Sequence, residues 1–182
     1  MTWTPHRSRR RSPLPKRSGS AAAALVLLMA AASCAPKRFA PPADAGTPAV
    51  ADPGSVLVEQ ARRRGHEIIP IPGPTAVATA LSAVGLGGDE FTFLGFLPHK
   101  KGRQTRINGL GGLIMPVVLY ESPRRLVKLL GELEATYPEA QVCVARELTK
   151  KFEEFRVGTP AQLRLHYEDH PPKGEIVVVV RT

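Results

Sequence analysis

Cysteine is nearly absent from this sequence. Cys34 and Cys143 stand alone, with no C-x-x-C pair and no His/Cys spacing suited to a metal. That excludes a disulfide-stapled scaffold and leaves no metal site to propose. Cys143, inside the apolar run VCVA, is expected as a buried thiol. No apolar run reaches the roughly 18–20 residues that cross a bilayer, so no stable membrane partner is expected. A G-K-[ST] phosphate loop and internal repeats are also missing.

Acidic residues are missing from one region only. Residues 1–43 hold eight Lys and Arg but no Asp or Glu, while the rest carries 17 basic and 16 acidic side chains. The net charge of +9 thus belongs almost wholly to the leader, and any anion site in the body must be a local cluster. The leader reads MTWTPHRSRRRSPLPKRSGS, then AAAALVLLMAAASCA. It fits a secretory or lipoprotein signal ending at Cys34, an organelle transit peptide, or a frame-shifted stretch. All three set 1–43 apart from the fold, and residues 1–40 are expected to lack stable tertiary structure beyond a helix over 21–33.

What is present is 43% hydrophobic, enough for a sizeable core, and it alternates. VLVEQARRRG (56–65) predicts a helix closed by Gly65. HEIIPIP predicts a short strand stopped by proline, and GPTAVATALSAVG (73–85) an Ala-rich helix with Pro74 in its first turn. FTFLGFLP, PVVLYE, QVCVARE, EEFRVG and GEIVVVV read as strands. SPRRLVKLLGELEATY (122–137) and TPAQLRLHYE read as helices with Ser122 and Thr159 as N-caps. KKGRQTRINGLGGLI is a loop or broken helix, and GLGGDE (85–90) a loop. The alternation predicts an α/β fold with a parallel or mixed sheet. It divides into a leader (1–43), a first unit (44–94) and a second (95–182).

Several stretches could carry chemistry. PADAGTPAVADPG (42–54) packs three prolines, two glycines and two aspartates into a loop. PIPGPTA follows a strand and opens a helix, which places free N–H groups where α/β proteins bind ligands; a stiff turn is the plain alternative. FLPHKKGRQTR concentrates Lys100, Lys101, Arg103 and Arg106 beside His99, as phosphate binding requires or as a solvated loop allows. Arg124 and Arg125 in YESPRRL oppose the dipole of the helix they open. ARELTKKFEEF is either a solvated ion-pair face or a polar cluster at a cleft.

Taken in order, DAGTPAVADPG, PIPGPTA, FLGFLPHK, LYESPRRL, ARELTKKFEEF and PPKGEIVVVV resemble the tetrapyrrole (corrin/porphyrin) methylase superfamily over residues 43–180. They are most similar to its ribosomal RNA small subunit methyltransferase branch. The resemblance implies two small α/β domains with S-adenosylmethionine between them. The implied reaction is methylation of a cytidine ribose 2′-hydroxyl in small-subunit rRNA, in the cytoplasm, with the rRNA or the ribosomal subunit as partner and a homodimer allowed. The cofactor loops fall on Asp44, Ala45, Gly46, Thr47, Pro48 and Asp52, then Pro72, Gly73, Pro74, Thr75 and Ala76. The rRNA phosphates fall to Lys100, Lys101, Arg103, Arg106, Arg124 and Arg125. Lys150 and Glu147 are the candidates for activating the hydroxyl. The family's opening strand and PxGN-type loop find no counterpart in 1–43, which predicts an incomplete first domain and weak or no cofactor binding by this chain. A tetrapyrrole methylase, a non-catalytic remnant and a lipoprotein anchored at Cys34 are the rival readings.

Overall fold

A computed structural model describes residues 38–39, 46–51 and 54–182. The expectations for residues 1–37 of the leader, and for Asp44, Ala45 and Asp52, lie outside those residues; Arg38–Phe39, expected to lack stable structure, pair as a strand instead. In chain order the elements are β1 (Arg38–Phe39), α1 (Gly54–Arg63), β2 (Glu67–Ile68), α2 (Ala76–Val84), β3 (Thr92–Phe96) and α3 (Arg103–Asn108). A 3-10 turn (Leu110–Gly112) leads to β4 (Val117–Glu121), α4 (Pro123–Thr136), β5 (Gln141–Arg146), β6 (Glu154–Gly158), α5 (Pro160–Asp169) and β7 (Ile176–Arg181). Strands β1 and β2 form a parallel pair, Arg38 opposite Glu67. The other five make a mixed sheet in the order β3-β4-β7-β5-β6.

The run IVVVV explains that order. Ile176 to Val180 are all buried, which only a strand covered on both faces can satisfy. β7 therefore lies between β4 and β5, antiparallel to both. Its alternate residues serve two cores. Ile176, Val178 and Val180 meet Leu126, Leu129, Leu130 and Leu133 of α4 and Leu163 and Tyr167 of α5. Val177 and Val179 meet Val77, Ala80 and Val84 of α2 on the other face. Cys143 is buried in that second core, and burial pushes its thiol up to about 11.

Local chemistry sets the helix ends. Thr159 and Gln162 form a reciprocal capping box at α5, with Pro160 in the first turn. Gly85 closes α2 in the left-handed region, φ 68°. The leucines of α4 recur at i, i+3, i+4 and i+7, one stripe against the sheet.

Two segments take the short and the broken form that their sequence reading allowed. HEIIPIP pairs only at Glu67–Ile68, because Pro70 and Pro72 have no N–H for a ladder. KKGRQTRINGLGGLI forms α3 and the 3-10 turn, tied down by one phenol: the Tyr137 hydroxyl donates to Asn108 O (2.6 Å) and accepts from Gly111 N (2.8 Å). β3 crosses the boundary at 94/95 and pairs with β4 in the five-stranded sheet.

Leu130 is fully buried between α4 and the sheet. Leu130→Ala should lower stability by about 2–5 kcal/mol, read as a lower urea midpoint at unchanged slope.

Candidate active site

Strands β3, β4 and β5 run in one direction, so Phe96, Glu121 and Arg146 end at the same edge of the sheet, beside the start of β7. The motifs FLPHK, YESPRR and RELTKK all leave from that edge, where open α/β sheets present ligand sites.

The two Gly/Pro loops, which follow parallel strands β1 and β2, lock together. The Thr47 hydroxyl donates to Gly73 O (3.1 Å) and lies 3.5 Å from Pro74 O. Gly46 has φ +76°, and a Cβ there would sit 3.1 Å from Pro74 O; one on Gly73 would sit 3.4 Å from Gly46 O. Glycine is required at 46 by conformation and closeness together. Ala49 (φ 65°) and Ala51 (φ 56°) continue the loop in the left-handed region, an unusual cost for alanine.

Thr75 is extended at the start of α2 and makes no side-chain cap, and of the first-turn N–H groups that of Val77 is engaged by the Tyr120 phenol. Beside them is a slot of about 220 Å³ lined by Val50, Thr75, Val77, Ala78, Phe91 and Phe93. Tyr120 of β4 joins this loop to the sheet edge. Its ring packs edge-on against Phe93 and Phe96. Burial raises its phenol, while hydrogen bonds with the Thr75 side chain and the Val77 backbone pull the other way.

The structure brings Glu147 and Lys150 together. Glu147 (φ 51°) and Thr149 (φ 62°) turn the chain sharply after β5. Glu147 N–H donates to Glu175 O (2.9 Å), and the Glu147 carboxylate accepts from Glu175 N–H (2.9 Å) and Lys150 Nζ (3.0 Å). Lys150 Nζ also reaches Glu175 Oε2 at 3.1 Å. The carboxyl fills the space where Gly174 (φ +86°) would carry a Cβ. The Glu175 N–H first, then Lys150, hold the Glu147 carboxyl below its ordinary value. Glu147 and Glu175 hold the Lys150 ammonium above its own. Chemically this is a fixed cation with a tethered carboxylate, a poor proton acceptor.

Of the basic residues singled out from sequence, Lys100, Lys101, Arg106 and Arg124 are exposed. Arg103 is not. It is 4% exposed, donates to Glu132 (2.8 Å), and pairs with Glu121 (3.4 Å), itself 2% exposed. Its guanidinium is an internal tie and leaves the phosphate-binding set, because a long cation between a buried and a partly buried carboxylate is held by them. Arg125 is partly covered, bound to Glu121 (2.7 Å) and to His99 Nδ1 (3.1 Å). Sequence reading missed Tyr120, Glu121, Gly174 and Glu175. The one usable signal was the Gly174-Glu175 pair just before the last strand. Among the described residues no His/Cys/Asp/Glu group could hold a metal ion, and no helix is long and apolar enough to cross a membrane.

The sequence profile of the Tetrapyrrole (Corrin/Porphyrin) Methylases matches residues 4–164. The chain belongs to that family. The tetrapyrrole methylase match starts inside the segment set apart as 1–43 and ends within α5. Ribosomal RNA small subunit methyltransferase I of Mesorhizobium japonicum is 50% identical over 140 residues, 75% of this chain and 48% of that protein. The protein of the same name from Vibrio cholerae is 43% identical over 141 residues, 75% of this chain and 49% of its own. The chain thus spans about half the length of these curated relatives. Among solved structures, the methyltransferase CobJ superposes with TM-score 0.57 at 23% identity, covering 75% of this chain and 62% of that one. Uroporphyrin-III C-methyl transferase from Thermus thermophilus, complexed with S-adenosyl homocysteine, gives 0.54 at 15%, with the same two coverages. At such identities the likeness is one of fold, an α/β fold of the tetrapyrrole methylase type.

The lowered Glu147 carboxyl gives stability that is present above its unfolded value, near ~4.3, and lost as pH falls through the lower folded value. The stability difference between wild type and Glu147→Gln, from urea midpoints, should be constant above about pH 5 and shrink below it. A difference that persists undiminished to about pH 2 would contradict the staple.

Proposed function

We propose that this chain carries S-adenosylmethionine-dependent 2′-O-methylation of a cytidine ribose in small-subunit rRNA, acting in the cytoplasm on the rRNA or the ribosomal subunit. The observation that carries the reading is the lock between the two Gly/Pro loops. Thr47 ties them at Gly73 beside the uncapped N-terminus of α2 and the apolar slot. The named activity of the relatives supports the same conclusion.

The residues present fit the cofactor. Gly46, Thr47, Pro48 and Pro72–Ala76, together with Asp44, Ala45 and Asp52, would hold it. The uncapped first turn of α2 suits a carboxylate, and the slot suits a flat apolar ring. S-adenosylmethionine, when bound, supplies a methyl group on a cationic sulfur, open to in-line attack. The chain's own part is to hold the ribose and favour loss of its 2′-proton. Lys150, kept as an ammonium by Glu147 and Glu175, would lower the cost of negative charge on that oxygen, and the proton leaves to solvent. Lys100, Lys101, Arg106 and Arg124 would hold phosphates, with Arg125 behind them on His99. The same exposed cations favour RNA over a small tetrapyrrole. In this reading residues 44–94 are the cofactor-binding part, 95–182 the C-terminal domain, and a homodimer is compatible.

Calorimetric titration of the chain with S-adenosylmethionine should give a saturable isotherm, and Gly46→Ala should weaken it at least about tenfold. Lys150→Ala should leave cofactor binding intact and remove most methyl transfer to small-subunit rRNA, measured with a labelled methyl group and mapped by mass spectrometry. Wild-type affinity in Gly46→Ala would sink the loop assignment. Methylation undiminished in Lys150→Ala would sink the role of the cation.

A further inference from the structure

A second cavity, of about 790 Å³, opens near the same sheet edge but on the other face. Alternation fixes the face. Cys143 and Ala145 of β5 pack with α2, whereas Val142 and Val144 pack with α5. Arg146 follows Val144 in that alternation, and its partner in register is Glu154; Val144 pairs with Arg156. The cavity is bounded by this β5–β6 corner, by α5 and by the 170–174 loop, and the Glu147 turn forms one wall. It thus adjoins the Lys150 cluster from behind and shares none of the Gly/Pro loop residues.

Its lining is built for an anion attached to a flat group. Glu154 is neutralised between Arg146 Nε (3.0 Å) and Arg156 Nε (3.1 Å), and Glu147 is held by Lys150. Positive charge is left over, on Arg156, 44% exposed at the side chain, and on exposed Lys173. Flat surfaces stand beside these cations. His170 stacks on His166, centroids 4.7 Å apart and planes 15° from parallel. Phe152 is 63% exposed, an expensive surface for an aromatic to show water unless something covers it. The floor includes Tyr167, 2% exposed, whose buried hydroxyl has no hydrogen-bond partner. A buried phenol normally finds one. The volume lies within the range of ordinary ligand pockets, about 300–1,000 Å³. Cations interleaved with stacking faces are the chemistry that takes single-stranded nucleic acid.

We propose that this cavity is a second RNA subsite, holding an unpaired nucleotide that neighbours the methylated one. Its base lies against His170 and Phe152, its phosphate against Arg156 and Lys173, and the Tyr167 hydroxyl completes its hydrogen bonding from the floor. The proposal rests on the reading of the chain as an rRNA methyltransferase and adds where the substrate strand runs beyond the reacting ribose.

The test is fluorescence anisotropy of the 182-residue chain with a short labelled oligocytidylate at several salt concentrations. His170→Ala should weaken binding about tenfold through lost stacking with little change in salt dependence. Arg156→Ala should weaken it and reduce the slope of log affinity against log salt by about 0.7, the loss of one single-strand phosphate contact. Tyr167→Phe, which removes only the unpartnered hydroxyl, should weaken RNA binding without lowering the thermal midpoint. Variants that bind RNA like wild type, or a wild-type chain that binds none, overturn the subsite. Titration of the same variants with S-adenosylmethionine separates the two ideas. Intact cofactor binding with unaffected RNA binding removes the subsite alone. The expected RNA losses in a chain that takes no cofactor keep the subsite and remove the methyltransferase reading.

Discussion

One buried carboxylate sets the geometry of the candidate site. Glu121 ends β4 with its side chain out of contact with solvent, and it accepts the N–H of Ser122 at 2.8 Å. Arg125 reaches it from the first turn of α4 and Arg103 from the first turn of α3. A lone buried carboxylate is costly, so both guanidiniums are held where they are. Such a cluster is weak evidence for stability, since apolar packing of equal volume does as well or better. What it gives is position. α3 and α4 are fixed against the end of one strand, and His99, Lys100 and Lys101 are left on the rim. Arg125, which opens α4 against its dipole, is explained by the acid one residue ahead of the cap.

Much of the fold was legible in the sequence because the signals are local or periodic. IVVVV, all apolar and β-branched, reads as a strand, and the structure covers it on both faces. The leucine stripe of α4, the Thr159–Gln162 cap and Gly85 mark their elements directly. Prolines cut the strand at 67–68 for the reason that they read as a stop. What the sequence misplaced or left open depends on partners far away in sequence. Arg103 looked like one more cation in a basic run, and nothing local reveals that Glu132, 29 positions on, takes it inward. α3 and its 3-10 turn depend on the hydroxyl of Tyr137, 29 residues from Asn108.

The site divides the same way. Glu147 and Lys150 are three residues apart, so their pairing is readable. Their partner Glu175 is 28 positions from Glu147 and 25 from Lys150 and is not. That partner changes the chemistry. Two carboxylates around one ammonium make Lys150 a standing charge and Glu147 an anchor, where spacing alone allowed either to move protons. The glycine at 174 belongs to the same device, because the Glu147 carboxyl lies in the space a larger residue would fill.

The position of β7 has a consequence for how the polypeptide acquires its shape during synthesis. The strand joins β4 to β5, yet it is the last of the described strands to leave the ribosome. Until it emerges, β3-β4 and β5-β6 are two separate pairs, each with a long unpaired edge and an uncovered apolar face. Both cores, one on each face of β7, close in the same event, and so does the contact between Glu147 and Glu175. The nascent chain therefore holds its greatest exposed apolar surface just before β7 emerges, the moment at which it is most exposed to aggregation and most dependent on whatever shields it.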